Sequence, residues 1–322
     1  MRNVGTVVRG IRTPIIKEND NLAQIVVDSL LNASQSEGFN FRDKDVVAIT
    51  EAVVGISEGN YITVDDIATD LKEKFPSGDI GVVYPILSRN RFSLILKGIA
   101  RGMNHITMLL SFPSDEVGNG ILDEDRLDNS RFNLSSVISE GEYKECFGDF
   151  LHPFTGINMV DFYRELIEKE NCKVDFVFSN DPKTILNYNK DVLTCDIHTR
   201  LRTKKMLKDA GANVYGLYEV MNAPINGSGF NPDYGMLGSN KSTEERIKLF
   251  PKTGNKLVLD IQTKLKELTG KTIEVMVYGD GAFKDPQGRI WELADPVVSP
   301  FYTSNLVGTP NELKLKYLAD ND

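Results

Sequence analysis

The sequence predicts a mixed α/β (α+β) protein whose two lobes enclose a cleft. Apolar runs at residues 80–87 and 105–112 have the length of buried strands, and the amphipathic stretch 91–101 between them has helical spacing. This strand–helix–strand order favours an α/β fold over a helix bundle. A chain of 322 residues can bury one large core or two ordinary ones, and we expect two lobes, at residues 1–120 and 121–322.

The remaining elements follow from the same periodicities. In the stretch 21–33, Leu22, Val26 and Leu30 recur at helical spacing directly after Asn21, a good N-cap residue. Residues 45–50 form a short apolar run of the kind found in buried strands. Further strands are predicted at 3–8, 173–178, 191–195, 213–217 and 272–278, and further helices at 63–74, 159–171, 203–208 and 257–268.

Three polar stretches are predicted to be loops or turns. Residues 118–142 are rich in Asp, Asn and Ser and are the best candidate for the boundary between the lobes. Residues 222–241 are rich in Gly, Asn and Pro, which is typical of a long surface loop. In the stretch 278–286, glycines flank Asp280; this pattern allows close approach to a ligand but also describes a β-hairpin turn, and the strand-like run 289–293 favours the hairpin.

Composition excludes several classes of protein. The net charge of −9 argues against a nucleic-acid surface, which normally carries a basic stripe. Three widely spaced cysteines form neither a disulfide framework nor a C-x-x-C pair, and Cys195 is interpreted as a small apolar side chain and not as a nucleophile. Met1 is not followed by a basic-then-apolar leader, and no apolar run approaches the roughly 20 residues of a membrane span. We therefore expect a cytoplasmic protein without membrane partners.

The segment 196–202 carries the clearest chemical signal. An acid, an imidazole and two guanidinium groups follow the strand predicted at 191–195, namely Asp196, His198, Arg200 and Arg202. Carboxylate oxygens suit hard divalent cations, and the planar fork of arginine suits phosphate oxygens. The sequence thus indicates a site for metal-bound phosphate, in which His198 is either a ligand or a group that transfers a proton. A charged turn before a basic helix explains this segment alone equally well.

A second acidic cluster follows the strand predicted at 105–112. Asp115, Glu116 and Asn119 could hold Mg²⁺ or Mn²⁺ and contact a base or ribose, although taken alone the cluster is better explained as an ordinary Asx/Gly turn. Arg89 and Arg91 lie where a strand gives way to a helix, a place that favours anions. The stretch 235–242 fails the P-loop spacing, and G-x-G-x-x-G, G-x-S-x-G and H-E-x-x-H are absent, so dehydrogenase, serine hydrolase and zincin functions have no direct support.

These pieces together resemble a known family, the coenzyme F420-0:L-glutamate ligases or F420 gamma-glutamyl ligases. Its N-terminal signature, a Gly-x-Pro-x-[Ile/Leu] turn before Lys-x-Gly-Asp-Asp-Leu and a helix, is similar to Gly10-Ile-Arg-Thr-Pro14-Ile-Ile-Lys-Glu-Asn-Asp20-Asn-Leu22. The strand Asp45-Val-Val-Ala-Ile-Thr50 also resembles the family's next strand. The spacing Asp196-x-x-x-Arg200-x-Arg202 is similar to its Asp-[Ser/Thr]-x-Gly-Arg-x-x-Arg motif, and Glu116-x-x-Asn119 is similar to its Asp-x-x-Asn.

The resemblance implies a ligase with an α/β fold unrelated to ATP-grasp, dimeric, with GTP and two divalent cations in a cleft. Its reaction joins L-glutamate through the amino group to a carboxylate acceptor by way of an acyl phosphate. Carried over to this chain, the nucleotide contacts would be Thr13, Pro14, Ile15, Ile16 and Asn119, and the metal ligands would be Asp115 or Glu116 together with Asp196. The arginines at 89, 91, 200 and 202 would clamp phosphate or carboxylate.

Departures from the family pattern leave alternatives open. Glu51 and Ile56 replace a serine and a lysine that contact nucleotide, and Ile197 replaces a hydroxyl residue. A C-terminal Gly-rich segment of the family is not found, so we expect a truncated C-terminus. The alternatives are a non-catalytic nucleotide- or ligand-binding protein and a metal-dependent phosphatase. Neither the acceptor nor the choice between GTP and ATP follows from these residues.

Overall fold

The computed structural model describes residues 7–279 except 90 and 154, together with 282–284, 291–293 and 298–306. The α-helices are α1 Leu22–Glu37, α2 Glu51–Glu58, α3 Val64–Lys74, α4 Phe92–Gly102, α5 Glu124–Asp128, α6 Glu140–Phe147, α7 Met159–Lys169, α8 Arg200–Asp209 and α9 Gly254–Thr269. The strands are β1 Val46–Thr50, β2 Tyr61–Thr63, β3 Asp79–Val83, β4 His105–Leu110, β5 Ile138–Ser139, β6 Lys173–Phe178, β7 Asp191–Thr194, β8 Asn213–Gly216, β9 Asn240–Lys241, β10 Arg246–Lys248, β11 Glu274–Gly279, β12 Ala282–Lys284, β13 Trp291–Leu293 and β14 Val298–Tyr302.

The chain divides into two compact units. The first contains the described residues within 1–58, 253–280 and 295–322, and the second those within 59–252 and 281–294. The boundary predicted at residue 120 differs from this division. It falls inside the second unit, because β4 before it and β6 after it are adjacent parallel strands of one sheet.

A six-stranded sheet organises the second unit. Its order is β5-β6-β4-β3-β7-β8, and all neighbours pair in parallel except β5, which is antiparallel to β6. From β3 the chain moves outward through β4 to β6, then returns to the other side of β3 for β7 and β8. The switch point of this sheet therefore lies between β3 and β7, and open α/β sheets bind ligands beyond the carboxyl ends of the strands at such a point.

Both faces of this sheet are buried, which explains the nearly continuous apolar runs in its strands. Along β3, Ile80 and Val82 belong to the core shared with α3, α4 and α7, whereas Val83 belongs to the opposite core, which contains Leu207 of α8. Helices α3 and α4 approach closely because α4 carries Gly102. A Cβ atom at Gly102 would lie 2.9 Å from the carbonyl oxygen of Ala68.

A smaller sheet lies in the first unit. β1 pairs in parallel with β11, which pairs antiparallel with β14, and α1 and α9 pack against each other. The interpretation of residues 45–50 as a buried strand is wrong in one respect. β1 is an edge strand of this sheet, and Val46 is 49% exposed.

Most predicted elements are confirmed to within a few residues, with some differences. Residues 7 and 8 of the strand predicted at 3–8 are not in a strand, and 3–6 lie outside the described residues. The turn expected at Asp280 lies outside the described residues. Beyond it, β12 and β13 form an antiparallel pair. Among the helices that the structure describes, none is long and apolar enough to cross a bilayer.

Candidate functional site

A cavity of about 230 Å³ opens at the switch point of the large sheet. We call it the switch-point cavity. Its lining comes from the loops that follow four parallel strands: Tyr84 after β3; Ser111, Ser114, Asp115 and Glu116 after β4; Asn180 after β6; Asp196 and Thr199 after β7. The structure thus brings together the three acids predicted to bind metal, because the carboxyl ends of parallel strands meet at one edge of a sheet.

Asp196 is the most deeply buried acid of this cavity, with 2% of its surface exposed. Its Oδ2 atom accepts hydrogen bonds of 2.6 Å from the hydroxyls of both Thr199 and Thr203. Its Oδ1 atom is buried and has no hydrogen-bond partner among the described residues. Burial raises the pKa of Asp196; the two hydroxyls lower it in part, and the nearby Glu116 raises it. A buried polar atom without a partner is explained by a catalytic role, by strain, or by a water or ion bound to it.

Asp115 uses its whole carboxylate to organise loops. Oδ1 accepts from the backbone N–H groups of Val117 and Asn119, and Oδ2 accepts from the N–H of Leu87 and the side-chain amide of Asn119. These four bonds close the turn after β4 and attach it to the loop after β3. The Asx/Gly turn that the sequence analysis gave as an alternative is therefore present, and the side-chain amide of Asn119 forms one of its hydrogen bonds.

Glu116 attaches the same loop to the segment after β7. Oε2 accepts a 2.9 Å hydrogen bond from the N–H of His198, and Oε1 accepts a second from the N–H of Ile197. These N–H groups lie just before α8, where the backbone dipoles favour a negative charge. Two of the three acids are thus bound to backbone donors, and Asp196 alone keeps an unused oxygen.

The chain that carries this site matches a known protein family. The family described as F420-0:Gamma-glutamyl ligase matches residues 10–312, nearly the whole chain. The chain belongs to this family. It is therefore an enzyme of the ligase class, which forms carbon–nitrogen bonds, and the family and the enzyme class expected from the N-terminal signature are confirmed. No curated protein matches the chain.

The basic residues of the segment 196–202 lie around the first turn of α8. His198 has an exposed side chain, and its backbone N–H is bound to Glu116. Arg200 is half-buried and donates from Nη1 to the carbonyl oxygen of Ile197, whereas Arg202 is exposed. These side chains follow the cavity wall in sequence but are not among its lining residues.

The other predicted anion-binding residues lie elsewhere. Arg89 is exposed, and Arg91 lines a second cavity of about 40 Å³ together with Cys195 and Ser239. The four residues expected to contact nucleotide near the N-terminus, Thr13, Pro14, Ile15 and Ile16, belong to the first unit, where residues 7–16 have no regular secondary structure. Ile15 is 85% exposed there.

The family resemblance implies a divalent cation, and the side chains of the site can be compared with the ligands that such a cation needs. No group of three or more His, Cys, Asp or Glu side chains in the described part of the chain is arranged to hold a metal ion. Mg²⁺, however, is usually bound through one or two carboxylates together with substrate phosphates. The unpaired Oδ1 atom of Asp196 fits this second arrangement. The residues present therefore fit a cation that arrives with phosphate oxygens.

Sequence reasoning missed several residues of the site. Ser111, Ser114 and Asn180 line the cavity, and polar residues directly after apolar strands were the signal that could have found them. Tyr84 gave no such signal. It has a positive φ of 54°, its hydroxyl donates 3.0 Å to the carbonyl of Ser179, and burial raises its pKa. A left-handed backbone is uncommon for a large side chain and is often found at functional sites.

Proposed function

We propose that this ligase uses a nucleoside triphosphate and a divalent metal to join the amino group of L-glutamate to a carboxylate acceptor. In the first step, the γ-phosphoryl group is transferred to the acceptor, giving an acyl phosphate and a nucleoside diphosphate. In the second step, the glutamate amine attacks the acyl carbon, phosphate leaves, and the nitrogen loses a proton. We propose GTP, or else ATP, as the co-substrate and Mg²⁺ or Mn²⁺ as the metal ion. We also propose that the enzyme is a homodimer.

The observation that supports this proposal is the buried, unpaired Oδ1 atom of Asp196 beside a cavity at the switch point. A divalent cation bound there would neutralise phosphoryl charge, which is the main contribution of metals to phosphoryl transfer. Asp196 would hold it through Oδ1. Asp115 and Glu116 would keep the loops after β3, β4 and β7 in fixed positions through their bonds to backbone N–H groups.

The basic residues of the segment 196–202 take the remaining roles in this proposal. His198 accepts the proton that the glutamate nitrogen loses, since histidine is the residue that most often transfers protons in active sites. Arg200 and Arg202 bind phosphate or substrate carboxylate, as do Arg89 and Arg91, since a guanidinium pairs with two oxygens at once. The nucleotide contacts are those that the family resemblance assigns to Asn119 and to residues 13–16.

Thermal stabilisation by ligands tests the proposal. Melting temperatures of the wild type and Asp196→Asn are measured with GTP, ATP and GDP, each with and without Mn²⁺. A ligand at 100 times its dissociation constant stabilises the folded state by about 2.7 kcal/mol, which is readily visible. We expect a Mn²⁺-dependent increase in the wild type that Asp196→Asn loses. No increase with any nucleotide would contradict the proposal.

A second assay separates the proposed ligase from the alternatives. Phosphate release is followed with and without L-glutamate, using carboxylate acceptors that include coenzyme F420-0. Release that requires both glutamate and an acceptor supports the ligase. Release from nucleotide without glutamate would indicate a phosphatase, and nucleotide binding without release under any condition would indicate a non-catalytic binding protein.

A further inference from the structure

We infer that Thr199 and Thr203 are positioning residues for this reaction, whose hydroxyls hold the Asp196 carboxylate so that Oδ1 remains the ligand-binding oxygen. The inference rests on the proposed function, because it concerns how the same site presents its acid. It is carried by an asymmetry: both hydroxyls bond to Oδ2, at 2.6 Å each, and Oδ1 has no partner among the described residues.

Thr199 departs from the usual behaviour of its position in a helix. It is the N-cap residue of α8, where a threonine hydroxyl normally accepts a hydrogen bond from an N–H group of the first turn. No such bond is made here, and the backbone is already helical, with φ −95° and ψ −1°. The hydroxyl instead donates to Asp196. The carboxylate of Glu116, meanwhile, binds the N–H groups of Ile197 and His198.

Thr203, one helical turn later, likewise bonds to Asp196 and not to its usual partner. A threonine within a helix commonly donates its hydroxyl to the carbonyl four residues earlier, which here would be that of Thr199. The Thr203 hydroxyl donates to Asp196 instead, from a side chain only 4% exposed. Since residues four apart lie on one face of a helix, the two hydroxyls converge on the same oxygen.

The consequence is a carboxylate with one fixed orientation. Rotation of the Asp196 side chain would break both short hydrogen bonds at once, so Oδ2 is held and Oδ1 keeps its unused acceptor capacity. Hydrogen-bond partners of a metal ligand fix its orientation in this way, and their removal typically weakens metal binding by about 10–100-fold. Thr199 and Thr203 supply these partners from the beginning of α8.

The test uses substitutions that separate the hydroxyl from the bulk of the side chain. Thr203→Val removes the donor at nearly constant volume, and Thr203→Ser keeps the donor. Thr107→Val is the matched control, because Thr107 is another buried threonine, 3% exposed, in the middle of β4. Thr199→Val and Thr199→Ser repeat the comparison at an exposed position where folding is less at risk.

The measured quantity is the Mn²⁺ concentration that gives half of the rise in melting temperature, with whichever of GTP and ATP stabilises the wild type. We expect Thr203→Val to raise this midpoint by about 10–100-fold. Thr203→Ser should return close to the wild type, and Thr107→Val should leave the midpoint unchanged. Asp196→Asn, which should lose the nucleotide- and Mn²⁺-dependent rise altogether, sets the limit of this series.

Two results would overturn the inference in distinguishable ways. If Thr203→Val and Thr199→Val lower the melting temperature but keep the wild-type midpoint, the hydroxyls stabilise the fold without positioning Asp196, and the proposed function stands. If neither GTP nor ATP stabilises the wild type in the presence of Mn²⁺, the proposed function fails. Mn²⁺ binding without nucleotide, measured by electron paramagnetic resonance, then decides: binding that Thr203→Val weakens supports positioning, and no binding overturns both.

Discussion

Replacing Asp115 by Asn should destabilise the second unit strongly. Asn keeps the shape of the side chain but turns one oxygen into an amide nitrogen, which cannot accept a hydrogen bond. Each oxygen of Asp115 accepts two, so either orientation of the new amide loses two bonds. A hydrogen bond to a charged group contributes about 1.5–3 kcal/mol, and Asn119 can recover one bond by turning its own amide. We therefore expect a loss of about 2–4 kcal/mol.

This expectation is measured by urea unfolding of the wild type and Asp115→Asn, followed by circular dichroism. The matched control is Asp128→Asn, which makes the same chemical change at an exposed position in α5 and should alter stability by less than about 0.5 kcal/mol. The turn interpretation would be refuted if Asp115→Asn unfolded like the control. A variant of unchanged stability that lost its Mn²⁺ response would instead indicate that Asp115 is a metal ligand.

Two further predictions concern stability away from the site. Burial lowers the pKa of His105, but hydrogen bonds of 2.9 Å with both Asp79 and Asp175 outweigh it and raise the pKa overall. The charged imidazole therefore stabilises the fold fully below its ordinary pKa of about 6.5, and this contribution is lost as pH rises through the raised value. Urea midpoints should show that loss in the wild type and not in His105→Gln. Thr63→Ala removes the capping box with Asp66 at the start of α3 and should cost about 0.5–2 kcal/mol by urea unfolding, whereas Thr63→Ser should cost little.

The parts of the fold that were predictable depend on neighbouring residues in the chain. Asn21 was expected to cap α1, and its side chain accepts a 3.2 Å hydrogen bond from the N–H of Gln24. Thr63, the first residue of the helix predicted at 63–74, caps α3 in a capping box. The limits predicted for β6 match the structure at both ends. Such elements follow from periodicity and caps, which act over three or four residues.

The elements that were missed show where local reasoning fails. Helix α2 lies in a run of β-branched residues, including Val53 and Val54, that resembles a continuation of β1. Helix α6 begins at Glu140, within the acidic stretch predicted to be a loop, and continues beyond it. Its signal was available, because Ser139 and Glu142 have capping-box spacing and form that box in the structure. The first element needed tertiary information, and the second needed only a closer interpretation of the spacing.

For the site, the sequence predicted where the acids meet but not what each one does. Strands that end at a common edge bring Asp115, Glu116 and Asp196 to one cavity. The residue types alone do not distinguish the roles of these three acids, since all are carboxylates that follow apolar runs. Their roles differ because of hydrogen-bond donors that cannot be identified from the sequence. Examples are the N–H groups of Leu87 and His198, which lie in loops beyond the ends of β3 and β7.

This distribution of donors decides the chemistry of the cavity. Three carboxylates in one small space repel each other, and each is stabilised by hydrogen-bond donors or by a cation, or else takes up a proton. Asp115 accepts four hydrogen bonds and Glu116 accepts two, all from donors in the surrounding loops. Asp196 receives two hydroxyls on a single oxygen, which leaves the other without a donor. The cavity therefore keeps one acid with an oxygen still free to accept, and in the proposed function this is the oxygen that would hold the cation.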